Sequence, residues 1–433
     1  MLRKIKQVCY FVYGYWIAIV HRKSSPKKIK MRQQKCLKKL IKRVANQSPF
    51  YSKYKDKTLT DFPIIDKPEF LANFDSINTI GVTLKQCEEH GIKAENSRDF
   101  SSELNGISVG LSSGTSQQRG VFLVSPFEQA LWAGYIISKN IPLSFNKKKV
   151  ALFLRANSNL YEAAKGLFVK FRFFDLTKNL GQLMTELEEY APHILIAPAH
   201  VLGVIARRQA AIKPTKIISV AEVLEPSTKE LVEKQYCCHV DEIYQATEGY
   251  IASTCSHGNL HINEDILVVE KEWIDKNNGR FVPIITDLNR NTLPIIRYRL
   301  NDILIEETSP CSCGSGFTRL KKIEGREDDM LWLPDSNSGT LTAIFPDLIR
   351  RAMYICKTQV TDYRLEQNGE LIAIAYESQN AAQAEQDIAS SLVKLFKSLN
   401  VDRPKMQFRV GVDHNIMKKL RRITCHKKPN CLD

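Results

Sequence analysis

Between residues 148 and 247 the sequence alternates short runs of β-branched and aromatic residues with longer stretches of helical character. This alternation restricts the fold more than any other feature of the chain. The runs are VALFLR (150–155), HILIAP (193–198), KIISVA (216–221) and EIYQAT (242–247). Strands separated by helix-length stretches need crossover connections rather than tight turns, so they are expected side by side in a largely parallel sheet covered by helices. One helix is expected to begin at Ser227, where Ser227 and Glu230 have capping-box spacing after Pro226. From Asn259 to Ile305 the runs shorten between NNG and LNRN turn signals, which predicts a small β-subdomain. In the last part of the chain RLEQNGELIAIAYE (364–377) reads as a hairpin turning at Asn368-Gly369. The expected class is α/β. A basic segment (1–57) leads into a large domain (58–325), followed by a small α+β domain (326–433).

Charge narrows the choice of partners. The net charge is +15, yet residues 1–57 hold seventeen Lys and Arg against the single acid Asp56, so that segment carries +16 and the other residues together −1. A terminal block of this kind suits a polyanionic surface and implies no specific nucleic acid. The apolar run Val8–Val20 has 13 residues, short of the roughly 17 to 25 that span a bilayer. No small-residue cleavage site follows it, so an export signal is not expected. Two readings stay open: a helix packed on the body of the protein, or a segment lying in a membrane interface, with residues 1–45 touching anionic headgroups on the cytoplasmic side. Eleven cysteines, an odd number in a chain of 433 residues, require no disulfide framework and point to a reducing, cytoplasmic compartment.

The chemistry concentrates in a few blocks. Ser112-Ser113-Gly114-Thr115-Ser116-Gln117-Gln118-Arg119-Gly120 follows the apolar run ISVGL. Hydroxyls and glycine in one tight loop let N–H and O–H donors converge on phosphate oxygens, and Arg119 adds charge. Further on stand Tyr244-Gln245-Ala246-Thr247-Glu248-Gly249, then Thr286-Asp287-Leu288 leading into Tyr298-Arg299-Leu300-Asn301-Asp302, then Gly325-Arg326-Glu327-Asp328-Asp329. In order and spacing these four blocks resemble the adenylate-forming enzymes, in the branch of phenylacetate-CoA ligase and coenzyme F390 synthetase. The resemblance extends upstream to Ser48-Pro49-Phe50-Tyr51 and Phe62-Pro63-Ile64-Ile65-Asp66-Lys67.

That resemblance implies a site. Ser112, Ser113, Gly114, Thr115, Ser116, Arg119 and Gly120 would hold the β- and γ-phosphates of ATP, Thr247 would contact the α-phosphate, and Glu248 would hold Mg²⁺. Ala221 and Glu222 would line the adenine site, Tyr244 would belong to the ATP-binding residues, and Asp302 would accept hydrogen bonds from both ribose hydroxyls. Arg326 would approach the ribose and phosphate, with Asp328 as the hinge of a mobile lid. Lys419, in Met417-Lys418-Lys419-Leu420-Arg421-Arg422, would be the lid lysine that reaches the reacting carboxylate and α-phosphate. The chain departs from the pattern at Gln117, where glycine is usual, at Arg119, where lysine is usual, and at Leu300-Asn301, where Thr-Gly is usual.

Cys255, His257 and His261 precede Cys311-Ser312-Cys313-Gly314, a Cys-x-Cys-Gly placed before the hinge as in many phenylacetate-CoA ligase relatives. Cys255, His261, Cys311 and Cys313 would supply a closed S₃N set for structural zinc, with His257 as substitute nitrogen. Trp132 and Tyr135, on the helix expected after the Ser/Gly loop, read either as part of the acyl pocket or as core. The expected reaction converts a small carboxylic acid and ATP into an acyl- or aryl-adenylate. Transfer to CoA or to the phosphopantetheine of an acyl carrier protein follows. The alternatives are adenylyl transfer to a hydroxyl and a non-catalytic relative that binds membranes or polyanions.

Overall fold

The structure is a computed structural model that describes residues 2–112, 119–141, 147–155, 169–356, 358, 360–413 and 421–428. The chain divides into two compact units, Met1–Leu300 with Ile305–Lys322, and Asn301–Leu304 with Ile323–Asp433.

The first unit opens with helices α1 (Leu2–His21), α2 (Pro26–Gln47), α3 (Lys67–Ala72), α4 (Phe74–Ile77) and α5 (Leu84–Ser97). The hairpin β1 (Ser108–Leu111) and β2 (Val121–Val124) and the helix α6 (Pro126–Asn140) come next. Local signals explain several of these starts. Ser25 is extended and accepts from Lys28 N, and Pro26 takes the first turn of α2, where its missing N–H costs nothing. Ser125 and Glu128 form a reciprocal capping box at the start of α6. The backbones of α1 and α6 touch. A Cβ on Gly14 would collide with the Leu131 carbonyl, and one on Gly134 with the Phe11 carbonyl, so both positions need glycine.

Five strands then lie parallel in the order β4-β3-β5-β6-β7: β3 (Lys148–Leu154), β4 (Val169–Asp175), β5 (Ile194–Pro198), β6 (Lys216–Val220) and β7 (Val240–Ala246). Helices Leu180–Tyr190 and Ala199–Arg207 bury Leu183, Leu187, Leu202 and Ile205 in one cluster with Phe153 and Phe174. Covering helices account for the continuous apolar character of β3 and β5. The sheet continues antiparallel through β8 (Gly249–Thr254), β9 (Leu260–Ile262), β10 (Leu267–Asp275), β11 (Arg280–Asp287), β12 (Tyr298–Arg299), β13 (Asp302–Glu307) and β14 (Arg319–Arg326). Among the described residues it has twelve strands in the order β10-β11-β13-β14-β9-β8-β7-β6-β5-β3-β4, with β12 on β11. The α/β class expected from the sequence is the one observed.

The helix expected at Ser227 differs in its cap. It runs Pro226–Tyr236 with Glu225 at the N-cap and no side-chain capping bond. Pro226 occupies the first helical turn and carries Ser227 past the position from which its hydroxyl could cap.

The second unit holds the hairpin β15 (Leu331–Pro334) and β16 (Leu341–Ile344) and a four-stranded sheet. That sheet contains β17 (Asp362–Asn368), β18 (Leu371–Glu377), β19 (Lys405–Val410) and β20 (Ile423–Lys427), ordered β19-β18-β17-β20. Helix Ala381–Ser398 buries Ile388, Leu392 and Phe396, four apart, against Leu365, Ile372 and Ile374. The β17–β18 hairpin is present, but Asn368 pairs with Leu371, so the turn residues are Gly369 and Glu370, with Gly369 at φ +63°. No helix among the described residues is long and apolar enough to cross a membrane.

Candidate active site and metal cluster

In the first unit the ends of the Ser/Gly loop are fastened to each other. Ser112 N donates to the Gly120 carbonyl at 2.7 Å, and Gly120 N to Ser112 Oγ at 2.7 Å. Ser113, Gly114, Thr115 and Ser116 lie outside the described residues. A Cβ on Gly120 would stand 3.2 Å from Thr247 Oγ1 and 3.4 Å from Ser112 Oγ. Two blocks far apart in sequence, the loop and the β7–β8 turn, therefore meet at their hydroxyls, with glycine where a side chain would crowd both. Among the described residues the Glu248 carboxylate, next in that turn, has no hydrogen-bond or ion-pair partner.

Arg119 is engaged at the base of the loop. Its Nε donates to the Ser112 carbonyl at 2.8 Å, and its two terminal nitrogens grip Glu95 of α5 at 2.8 and 2.6 Å. The Glu95 contact raises the Arg119 pKa further still. The turn after β7 is braced by a residue flagged in the sequence only as part of a turn. Arg290 Nη1 donates to the Thr247 carbonyl at 2.6 Å and Nη2 to the Leu123 carbonyl at 3.4 Å. Glu128, which closes the cap of α6, also accepts from Asn291 N, Thr292 N and Thr292 Oγ1, at 2.6, 2.9 and 2.5 Å. Asp287 Oδ1 accepts from Asn289 N and Arg290 N, and burial pushes the Asp287 pKa up to about 6.

Ala221 and Glu222 follow β6 at the carboxyl edge of the parallel strands, where open α/β sheets place their ligands. Ala221 adopts φ +66°, a left-handed conformation that a Cβ disfavours. The buried Glu222 carboxylate meets His200 Nδ1 at 2.9 and 2.7 Å and accepts from His200 N at 3.2 Å. Tyr244 is buried within β7. Tyr135 belongs to the core: it is 1% exposed, donates to Asp265 Oδ1 and packs edge-on against Tyr250.

In the second unit Asp302, at the start of β13, and Arg326, at the end of β14, approach to 3.6 Å. After Arg326 comes a 3₁₀ turn, Glu327–Asp329, that contains Asp328. Asp329 accepts from Arg326 N at 3.2 Å and from Arg421 Nε and Nη2 at 3.0 and 2.5 Å. Lys419 lies outside the described residues. The Asp329–Arg421 tie joins the two basic-tract and hinge blocks, and no pattern in the sequence announces it.

The four cysteine and histidine donors converge in the first unit. The ligand atoms of Cys255, His261, Cys311 and Cys313 all lie within 4.8 Å of one another. Cys255 Sγ and Cys311 Sγ are 3.8 Å apart, and Cys313 Sγ and His261 Nε2 are 3.7 Å apart. Tetrahedral zinc with Zn–S near 2.3 Å and Zn–N near 2.0 Å sets such edges at about 3.8 and 3.6 Å, so the donor set fits that ion. His261 Nδ1 sits 3.1 Å from the Phe317 carbonyl, which fixes the tautomer and leaves Nε2 bare toward the sulfurs. Donors surround the thiols: Cys313 N and Asn259 Nδ2 face Cys311 Sγ at 3.5 and 3.3 Å, His257 N faces Cys255 Sγ at 3.4 Å, and Ser315 N faces Cys313 Sγ at 3.4 Å. His257 itself is exposed and contacts Ser256. Burial raises the Cys313 thiol to about 11. Burial acts the same way on Cys311, but bonds from the Cys313 N–H and the neighbouring side chains outweigh it and bring that thiol below its ordinary value. The buried Lys139 ammonium lies 4.7 Å from the Phe317 ring and 3.9 Å from Asp265 Oδ2. None of the ten described cysteines is in a disulfide.

No family model and no curated protein matches the sequence. Solved structures do match. A 2-hydroxyisobutyryl-CoA ligase in the postadenylation state, in complex with 2-HIB-AMP, superposes with a TM-score of 0.67 at 15% identity, covering 94% of this chain and 91% of that one. The fold is that of the adenylate-forming enzymes. An anthranilate CoA ligase in complex with anthranoyl-AMP gives 0.52 at 10% identity over 72% of this chain and 66% of that one. An amide bond synthetase from Marinactinospora thermotolerans gives 0.53 at 9% identity over 76% and 69%.

Proposed function

We propose that the chain activates a small carboxylic acid with ATP and passes the acyl group to a thiol, in the manner of the phenylacetate-CoA ligase branch. One substrate carboxylate oxygen attacks the α-phosphorus, the bond to the β-phosphate bridging oxygen breaks, and pyrophosphate leaves. The thiol sulfur of CoA, or of a carrier protein's phosphopantetheine, then attacks the carbonyl carbon of the acyl- or aryl-adenylate, and AMP leaves with the electrons of the C–O bond. The observation that carries this reading is the meeting of Ser112, Gly120 and Thr247 at one point of an adenylate-forming fold. The Ser112 and Thr247 hydroxyls brought together there suit donation to phosphate oxygens.

The roles follow from chemistry and position. The Ser112–Gly120 loop takes the β- and γ-phosphates, with Arg119 bracing its base, and Thr247 faces the α-phosphate. Glu248, a carboxylate without a protein partner among the described residues, would hold Mg²⁺, whose charge offsets that on the phosphates. The Ala221-Glu222 bend lines the adenine, Tyr244 supports the nucleotide site from β7, and Asp302 accepts from the ribose hydroxyls beside Arg326. Lys419 reaches the reacting groups, and Asp328 is the hinge. Cys255, His261, Cys311 and Cys313 would hold a structural zinc that ties β9 to the segment leading into β14.

ATP–pyrophosphate exchange across a panel of aryl and short 2-hydroxy acids tests the first half-reaction, and thioester formation with CoA tests the second. Exchange with at least one acid and thioester release are expected. No exchange with any acid, together with AMP transfer to a hydroxyl compound, would replace this reading with the F390-synthetase-like one.

A further inference from the structure

Helix α1 is apolar on two opposite faces. One face is the glycine contact with α6, where Gly14 and Gly134 let the backbones touch and Ile17 and Ala18 are fully buried. The other carries Ile5, Val8, Val12, Trp16, Ile19 and Val20. Their spacing of three and four residues makes one stripe along the helix, and each is between 46 and 61% exposed. A stripe of this length on a helix already anchored by its other face requires a cover. Charge identifies it. The first acid of the chain is Asp56, while Lys4 and Lys6 at one end of the stripe and Lys23, Lys27 and Lys28 at the other are exposed. A second copy of this chain would set two +16 segments against each other. An anionic lipid surface would take the apolar stripe among its acyl chains and the lysines among its headgroups.

We infer that α1 is a membrane-docking element: it lies in the plane of an anionic bilayer with Ile5, Val8, Val12, Trp16, Ile19 and Val20 in the headgroup–acyl boundary. Both sequence readings of this segment then hold together, because one face packs on the protein and the opposite face meets lipid. The glycine contact makes the element rigid, so the whole first unit is oriented at the surface rather than tethered to it. Attraction to anionic headgroups acts over about a Debye length and weakens with salt, whereas the apolar insertion does not. This inference is independent of the proposed acid activation.

The test is flotation of the full-length protein with phosphatidylcholine vesicles that contain or lack about 30 mol% phosphatidylglycerol. Binding to the anionic vesicles alone is expected, weaker at high salt. Val12→Ser with Trp16→Ser should lower the partition coefficient roughly tenfold or more while the melting curve stays that of the parent. Lys27→Glu with Lys28→Glu, which leaves the stripe intact, should also weaken binding and reduce its salt dependence. Three results would overturn the inference. One is wild-type protein that stays with the aqueous fraction, and another is a double-serine variant that binds as well as the parent. The third is a concentration-dependent dimer in sedimentation that the double-serine variant dissolves.

Discussion

Asp302 Oδ1 lies 3.6 Å from Arg326 Nε, so the residue proposed to bind the ribose and the residue proposed to meet the phosphate side restrain each other before any nucleotide arrives. Both side chains stay partly exposed, at 17 and 29%. An ionised carboxylate has two oxygens and can accept from both ribose hydroxyls. Asp302→Ala is expected to lower pyrophosphate exchange by about a hundredfold and to erase the preference for ATP over 2′-deoxy-ATP, with folding unchanged. Steady-state kinetics with the two nucleotides checks this, and a retained preference would remove Asp302 from the ribose site.

Glu248→Gln should act through metal. The carboxylate makes no hydrogen bond or ion pair among the described residues, so thermal stability should stay close to the parent's. Exchange should need a higher Mg²⁺ concentration and fall on the order of a hundredfold. A Mg²⁺ titration of exchange rate reads both, and a parent-like curve would move the metal site elsewhere.

Cys311→Ser or Cys313→Ser should yield protein with less than one zinc per chain and a lower melting temperature, since removing one ligand opens the tetrahedron. Elemental analysis of the parent, purified without chelator, should find about one zinc per chain. Metal-free parent protein with full stability would leave the four side chains as reduced thiols and a histidine.

Asp287 supplies a pH dependence. Its folded pKa of about 6 lies above the unfolded value near 3.9, so the folded state holds this proton more tightly. That contribution is complete below about pH 4 and is lost as pH rises through 6. Asp287→Asn keeps an acceptor oxygen for Asn289 N and Arg290 N without the buried charge. It should therefore stabilise the protein at pH 7 by on the order of 2 kcal/mol, with the gain shrinking toward pH 4. Denaturation at several pH values measures the difference, and a pH-independent gain would contradict the assignment.

Gly14→Ala and Gly134→Ala should each force α1 away from α6, because the added methyl meets a backbone carbonyl that has no rotamer by which to yield. A loss of about 1 to 3 kcal/mol is expected, with faster amide exchange in α1 than in the parallel sheet. Unchanged protection of α1 would mean that the helices separate at no cost.

The parallel strands β3, β5 and β6 were legible because burial on both faces leaves a nearly continuous apolar signature within each run, and β7 by the β-branched and aromatic Ile243-Tyr244 at its centre. The neighbouring β4 was not, since Lys170 and Arg172 interrupt its run and break the pattern. The zinc-type donors were legible as residue types near the β9 and β14 strands. The sequence already put His261 in the set with His257 as substitute; the convergence of the four side chains came from the antiparallel pairing of β9 with β14. The capping box expected at Ser227 fails for a local reason, the proline before it, whereas the boxes of Thr83 with Gln86 and Ser125 with Glu128 form without having been expected.

By itself the sequence determined the α/β class, four of the five strands of the parallel core and the short list of groups able to meet phosphate, ribose and metal. Those properties live in periodicity and residue chemistry within a few positions. Tertiary structure alone decided that Arg119 is held by Glu95, that Arg290 braces Thr247, that Asp329 binds Arg421 and that one apolar face of α1 is covered while the other is open. Each of these depends on which distant segment the chain brings alongside, and a guanidinium or an apolar stripe carries the same local signature whichever partner it finds.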